Sequence, residues 1–247
     1  MSMESAYAAN TAKVQELIEI FTNKNASYDA RIATALGLSA NTEKTVYLDQ
    51  VNGNDANSGL TADKAIKTLK QASVMAPAFG GVNIICLSDI INVEPITYFP
   101  HGCKIRLVAD PKTDGTFFKY KPQITQNPDG TYRIAAIVSA YFGLSITFER
   151  IDIELPVNTA NVTTQSNVLF YSTASGDSAT FFKMYMGNLV SVGRIGYITA
   201  RSYSITSLYL YQATYNAADM AGRWLANTAP GTDPKTLTDV LTNLATL

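Results

Sequence analysis

The chain has 247 residues, of which 47% are hydrophobic and 16% are charged, and this composition predicts a folded protein with a sizeable core rather than a disordered one. The formal net charge of −1 argues against nucleic acid as the main partner, because phosphate binding needs a basic surface. No apolar run reaches the length of a membrane span, and the first residues lack a basic stretch followed by an apolar one. We therefore expect the protein to stay in the cytoplasm where it is made or to leave as part of a particle.

Residues 1–40 carry an apolar repeat of seven. Its members are Tyr7, Val14, Phe21, Tyr28 and Ala35. A sustained period of seven predicts a left-handed coiled coil, so residues 1–40 are expected to form a helix that assembles the chain into an oligomer. Lys24 and Arg31 interrupt the second apolar position of the repeat. An amphipathic helix that packs on its own domain is therefore the alternative.

Residues 41–80 predict a strand, a polar turn and a short helix. Thr45–Leu48 is the strand, and Asn and Gly residues such as Asn52-Gly53 form the turn. Thr61 is expected to cap a helix that Pro77 ends. Its inward-facing residues are expected to be Ala65, Ile66, Leu69, Ala72 and Ala76. Calcium binding by the Asp and Asn side chains of the turn is an alternative, although their spacing does not fit an EF-hand loop.

This segment resembles the opening module of pectin-lyase-like β-helix proteins, a group that includes phage tail fibres and tailspikes. The resemblance rests on the string YLDQVNGNDANSGLTADKAIKTLKQA, which is 26 of the 247 residues. The matching residues are Gly53, Asn54, Asp55, Asn57, Gly59, Leu60, Lys67, Thr68, Leu69 and Ala72. The resemblance implies a mainly β chain with a right-handed parallel β-helix (a solenoid) whose open end is covered by the capping module 41–80.

Residues 81–228 alternate short apolar strands with turns, as expected for a β-solenoid. The predicted strands are Val82–Leu87, Cys103–Val108, Tyr132–Ser139, Leu144–Leu155, Asn167–Ser172, Ala179–Met186 and Arg194–Tyr211. Core positions such as Leu87 and Leu107, or Ile146 and Val168, lie 20 to 22 residues apart, which suits stacked coils. The shift of alternation at Glu149-Arg150 predicts a bend between two faces. A β-sandwich is the alternative fold.

Residues 229–247 predict a helix that closes the far end of the solenoid. Leu237, Val240, Leu241 and Leu244 fall at helical spacing and would form its apolar face.

The residues that could support catalysis are few. His101 is the single histidine of the chain, and Cys103 lies two positions after it without a third group to hold a base. Cys86 and Cys103 are expected to be buried thiols. No cofactor or metal is expected, since zinc needs three or four converging ligands.

Two sets of residues are candidates for a functional surface. Glu149, Asp152 and Glu154 are the candidate carboxylates for glycan cleavage, which needs an acid and a base or nucleophile at about 5 to 9 Å. Asp152 and Glu154 are expected to share the outer face of one strand. The candidate ligand contacts are Tyr203, Tyr209, Tyr211 and Tyr215, because tyrosine rings stack on sugars.

The resemblance implies a homotrimeric phage tail fibre that attaches to a host-surface glycan or protein and has no enzymatic activity. Residues 1–40 would join it to a baseplate, tail or capsid protein, which places it in the virion. A capsid fibre or decoration protein is one alternative, and a small polysaccharide depolymerase is the other.

Overall fold

The computed structural model describes residues 13–15, 24, 43–127, 129–139, 143–159, 167–172, 179–200 and 205–247. The chain divides into two compact units, residues 1–42 and residues 43–247. In the first unit, residues 13–15 and Lys24 are helical. Val14 is 55% exposed, whereas Tyr7, Phe21, Tyr28 and Ala35 lie outside the described residues. The predicted coiled coil stays a prediction.

The second unit is mainly β, with three large parallel sheets in its described part. The first sheet contains, in spatial order, Glu43–Leu48 (β1), Gly81–Cys86 (β2), Lys104–Val108 (β5), Leu144–Glu149 (β10), Thr180–Tyr185 (β13), Thr206–Tyr211 (β16) and Val240–Thr242 (β19). The second contains Thr214–Tyr215 (β17), Asn188–Val190 (β14), Ile151–Glu154 (β11), Phe118–Pro122 (β6) and Ile90–Asn92 (β3). The third contains Leu225–Ala226 (β18), Tyr197–Ala200 (β15), Val168–Ser172 (β12), Ala136–Ser139 (β9) and Ile96–Phe99 (β4).

The described strands visit the three sheets in a fixed order. From β2 to β18 the chain passes from the first sheet to the second and then to the third, five times in succession, before β19 returns to the first sheet. We call each such passage a circuit. An antiparallel hairpin of Ile124–Gln126 (β7) and Tyr132–Ile134 (β8) interrupts the second circuit. A β-sandwich, the alternative expected from the sequence, has antiparallel sheets, whereas these three sheets are parallel.

Register brings like residues above one another in adjacent circuits. Ile105 pairs with Ile146, Ile146 with Phe182, and Phe182 with Leu208, and all of these side chains are buried. The expectation that Ile146 and Val168 occupy equivalent positions in successive coils is wrong, because they lie in different sheets, on β10 and β12. The circuits have unequal lengths, so a constant period does not describe them.

The core lies between the three sheets and is centred on aromatic rings. Phe148 of the first sheet, Tyr120 of the second and Phe170 of the third have ring centroids 5.3 to 6.1 Å apart. Phe182 stacks on Phe170 at 5.5 Å. The Asn92 side-chain amide donates to the Tyr120 hydroxyl at 3.1 Å, which satisfies the one polar atom of this cluster.

The predicted bend between β10 and β11 is confirmed. Phe148 and Ile151 both point into the core although they are three residues apart, and Arg150 between them has a φ of 56°. This left-handed residue turns the chain from the first sheet to the second.

The helix near the start of this unit is shorter than predicted. A 3-10 turn spans Ala62–Lys64, and the α-helix spans Leu69–Met75. Thr68, rather than Thr61, caps it, because the Thr68 side chain accepts from the Gln71 amide at 3.1 Å. Burial of the predicted inward face is confirmed.

The predicted closing helix within 229–247 is wrong. The structure has a 3-10 turn at Pro234–Thr236 and the strand β19, which pairs in parallel with β16. A further short helix spans Ala217–Met220. No helix in the described part of the chain is long and apolar enough to cross a membrane.

Candidate functional site

The outward face of the first sheet presents a row of aromatic side chains. Inward Phe182 and Met184 alternate on β13 with outward Phe181, Lys183 and Tyr185. Register places Tyr185 beside Tyr211 of β16, and Lys183 beside Tyr209. The ring of Tyr185 lies 6.1 Å from the rings of both Tyr209 and Tyr211.

A depression of about 370 Å³ lies beside these rings. Its lining residues are Arg106, Thr147, Glu149, Lys183, Tyr185, Met186 and Tyr211. Half of the Tyr211 side chain is exposed, so the rim presents an aromatic surface to solvent. The volume falls within the range of small-ligand sites, and the lining combines aromatic and charged groups.

Ion pairs occupy the carboxylate of Glu149. Arg106 donates to it from Nε at 3.1 Å and also from Nη2, and Arg150 lies 3.7 Å away. Arg150 also forms an ion pair with Asp110, with 3.4 Å between Nη1 and Oδ1. Within the described residues Lys183 has no ion pair, so its ammonium is the uncompensated charge of the depression.

The three candidate carboxylates lie in two different sheets. Glu149 ends β10 of the first sheet, whereas Asp152 and Glu154 lie on β11 of the second. Both β11 carboxylates occupy the outward side of the strand, where they alternate with the buried Ile151 and Ile153, so the predicted shared face is confirmed.

The environments of Asp152 and Glu154 differ. A hydrogen bond from Lys119 at 3.0 Å holds the pKa of Glu154 below its usual value, and Arg194 donates to its other oxygen at 2.8 Å. Burial raises the pKa of Asp152, which accepts a hydrogen bond from the Asn188 amide at 2.8 Å. The catalytic role of these residues stays a prediction.

The four candidate tyrosines do not form one cluster in the described structure. Tyr209 and Tyr211 belong to the depression's rim, while Tyr203 lies outside the described residues. Tyr215 is on β17 of the second sheet, where it meets Trp224 edge-on at 5.0 Å.

Sequence reasoning missed Arg106 and Lys183 as members of this site. Each is a single cation on a short strand, and only the stacking of β5, β10 and β13 brings them to one depression. The sequence predicts which side chains of each strand face outward, but it does not predict the order of the strands in the sheet.

The two cysteines are buried and unbonded to each other. Burial raises the pKa of the Cys103 thiol to about 11 and that of Cys86 further, so neither is a thiolate at neutral pH. The His101 carbonyl accepts from the Phe79 amide at 2.7 Å, and its ring lies 6.5 Å from the Phe79 ring.

Side-chain oxygens of the polar turn bind backbone groups. Asp55 accepts from the amides of Lys67 and Thr68 at 2.8 and 2.9 Å, and from the Thr68 hydroxyl at 2.8 Å. Asp49 accepts from the amides of Val51 and Asn52. These bonds fix the turn against the start of the helix. Among the described residues no group of three or more His, Cys, Asp or Glu side chains is placed to hold a metal ion.

No protein-family model, no curated protein and no solved structure matches this chain.

Proposed function

We propose that the chain is a subunit of a phage tail fibre that attaches to a glycan on the host surface without cleaving it. The observation that carries the proposal is the exposed tyrosine surface of Tyr209 and Tyr211 beside the charged depression on the first sheet. Flat rings stack on the C–H face of a sugar and lose little entropy on binding, because each has only two side-chain torsions.

The proposed architecture is a right-handed parallel β-helix formed by residues 43–247, with the segment before β2 as its cap. Three parallel sheets visited in constant order support it, as does the continuous register from β1 to β19. Such a body presents rigid outward faces, which suits recognition of an extended polymer. We favour a tail fibre over a capsid fibre because residues 47–72 resemble β-helix tail proteins.

Residues 1–40 are proposed to trimerise the chain and to join it to a baseplate, tail or capsid protein, which would place it in the virion. Three copies repeat each glycan site three times. Avidity can then replace strong affinity at a single site, because the second and third contacts form at high effective concentration.

Binding of purified host capsular or O-antigen polysaccharide tests the attachment proposal. We expect Tyr211→Ala to weaken binding about tenfold, since loss of one stacked ring costs roughly 1 to 1.5 kcal/mol. Tyr98→Ala is the matched control, because Tyr98 is equally exposed (52%) but lies on β4 of the third sheet. Equal effects of the two substitutions, or no binding by the unaltered protein, would contradict the proposal.

A specific observation supports depolymerisation as the second candidate function. The pKa of Asp152 is raised, as a general acid requires, while Glu154 beside it on β11 is held ionised. If the protein is a depolymerase, incubated polysaccharide shortens in size-exclusion chromatography and Asp152→Asn abolishes the shortening. Binding without shortening supports the adhesin.

A further inference from the structure

Lys183 lies beside the tyrosine surface and lines the depression. On its own strand it lies two residues before Tyr185, and register places Thr147 of β10 on one side and Tyr209 of β16 on the other. Its side chain is half-buried between these neighbours. Strand register therefore places the Lys183 side chain in the same outward row as these tyrosines.

The nearest carboxylate does not neutralise Lys183. Glu149 lines the same depression, but its Oε2 accepts both hydrogen bonds from Arg106 and its Oε1 lies 3.7 Å from Arg150. Among the lining residues Arg106 and Lys183 are cationic and only Glu149 is anionic, which leaves one positive charge. In the part of the chain that the structure describes, no partner compensates that charge.

A lysine without an ion-pair partner beside exposed aromatic rings favours an anionic ligand. A neutral sugar stacked on Tyr185 and Tyr211 would cover Lys183 and remove water from it without replacing the lost interactions. A sugar with a carboxylate would offer a charged hydrogen-bond acceptor at the same place. Charge complementarity thus discriminates between two ligands that stack equally well.

We infer that the depression recognises an acidic glycan, in which a uronic acid ring stacks on Tyr185 and Tyr211 while its carboxylate pairs with Lys183. This inference rests on the proposed attachment function and names the class of glycan. The uronic acid is bound and not altered, so the site needs no catalytic group.

Calorimetric titration of the full-length protein with a glucuronic acid hexamer tests the inference. The comparison ligand is the same hexamer with its carboxyl groups reduced to alcohols, which keeps the sugar backbone and removes the charge. We expect the acidic hexamer to bind at least about tenfold more tightly at low salt, and this advantage to shrink as salt screens the charge. Lys183→Gln should remove most of the advantage.

Lys67→Gln is the matched control, because Lys67 is an exposed lysine in the turn before the helix Leu69–Met75 and does not line the depression. It should bind both hexamers like the unaltered protein. Circular dichroism of each variant checks that the strands are intact.

The outcomes separate this inference from the attachment proposal. Equal affinity for the two hexamers, or an acidic preference that survives Lys183→Gln, overturns the acidic-glycan inference and leaves glycan attachment standing. A preference for a sulfated neutral hexamer over the uronate overturns the assignment of a uronic acid. Failure to bind any of these glycans, or host polysaccharide, overturns both.

Discussion

At the scale of single residues, the polar turn before the helix Leu69–Met75 depends on one glycine. A Cβ atom at Gly53 would overlap the carbonyl oxygens of Asp49 and Ile66, which are backbone atoms held by their own hydrogen bonds. We expect Gly53→Ala to lower the free energy of unfolding by at least about 2 kcal/mol, measured by urea denaturation.

Gly81→Ala is the control for that substitution. A Cβ at Gly81 meets its nearest neighbour, a side-chain atom of Glu43, at 3.4 Å, which is ordinary contact. It should leave stability unchanged or raise it by up to about 1 kcal/mol. If both variants unfold at the same urea concentration, the close approach at Gly53 is not the constraint.

A second residue-scale prediction concerns pH and Glu154. Its pKa is lower in the folded chain than in the unfolded one, so its stabilisation is complete above the unfolded value of about 4.3 and is lost as the pH falls through the folded value. We expect Glu154→Gln to cost roughly 1 kcal/mol at pH 7, and progressively less as the pH is lowered to 3.

Urea denaturation at each pH measures this difference. Glu94→Gln is its comparison, because the Glu94 carboxylate lies 3.7 Å from Lys70 in an exposed pair and should contribute little at any pH. A cost of Glu154→Gln that stays constant from pH 7 to pH 3 would show that its ion pairs are not the source.

At the scale of elements, β13 provides a direct test of strand orientation. Phe182 is fully buried against Phe148 and Phe170, whereas its neighbour Phe181 faces outward and is 37% exposed. We expect Phe182→Ala to cost about 3 to 5 kcal/mol and Phe181→Ala less than about 1 kcal/mol. Similar losses for the two variants, in chemical denaturation, would mean that the strand presents its other face to the core.

Local alternation made some elements predictable from the sequence. Burial on β10 and β11 and the turn between them followed from the apolar pattern around Arg150, which depends only on neighbouring residues. Strands such as Ile96–Phe99 and Phe118–Pro122 were missed because short strands are stabilised mainly by those stacked on either side.

The C-terminal segment shows why a local pattern can mislead. Leu237, Val240, Leu241 and Leu244 fit helical spacing, yet Val240–Thr242 pairs with β16 as a strand. The backbone groups of an unpaired sheet edge form hydrogen bonds that outweigh a weak helical propensity.

The candidate site could be predicted from the sequence only in part. Tyr209, Tyr211 and Glu149 were predictable as outward residues. Their position beside Arg106 and Lys183 was not, because it depends on circuits of unequal length. Gly81 pairs with Lys104, which is 23 residues further along the chain, while Lys104 pairs with Ser145, which is 41 residues further.

At the scale of the whole molecule, the trimer proposal predicts a mass. Each chain has a mass of 26.7 kDa, so light scattering of the full-length protein should give three times that value, about 80 kDa. Removal of residues 1–38 should yield a monomer, since the shortened chain keeps the compact unit 43–247 but loses the heptad repeat. A full-length monomer at high concentration would remove the coiled-coil proposal, and a trimer that survives the deletion would place the contacts in residues 39–247.

The position of β1 and β19 at opposite edges of the seven-stranded sheet has a mechanical consequence. Tension applied to the two ends of residues 43–247 loads the strand pairs in series, so every pair carries the same force, and an edge strand, which is paired on one side only, is expected to detach first. Each circuit that detaches releases slack; the stretch from Thr180 to Thr206, 26 residues, supplies roughly 90 Å at about 3.5 Å per residue. The body would therefore lengthen in discrete steps under a pull and dissipate work at each step.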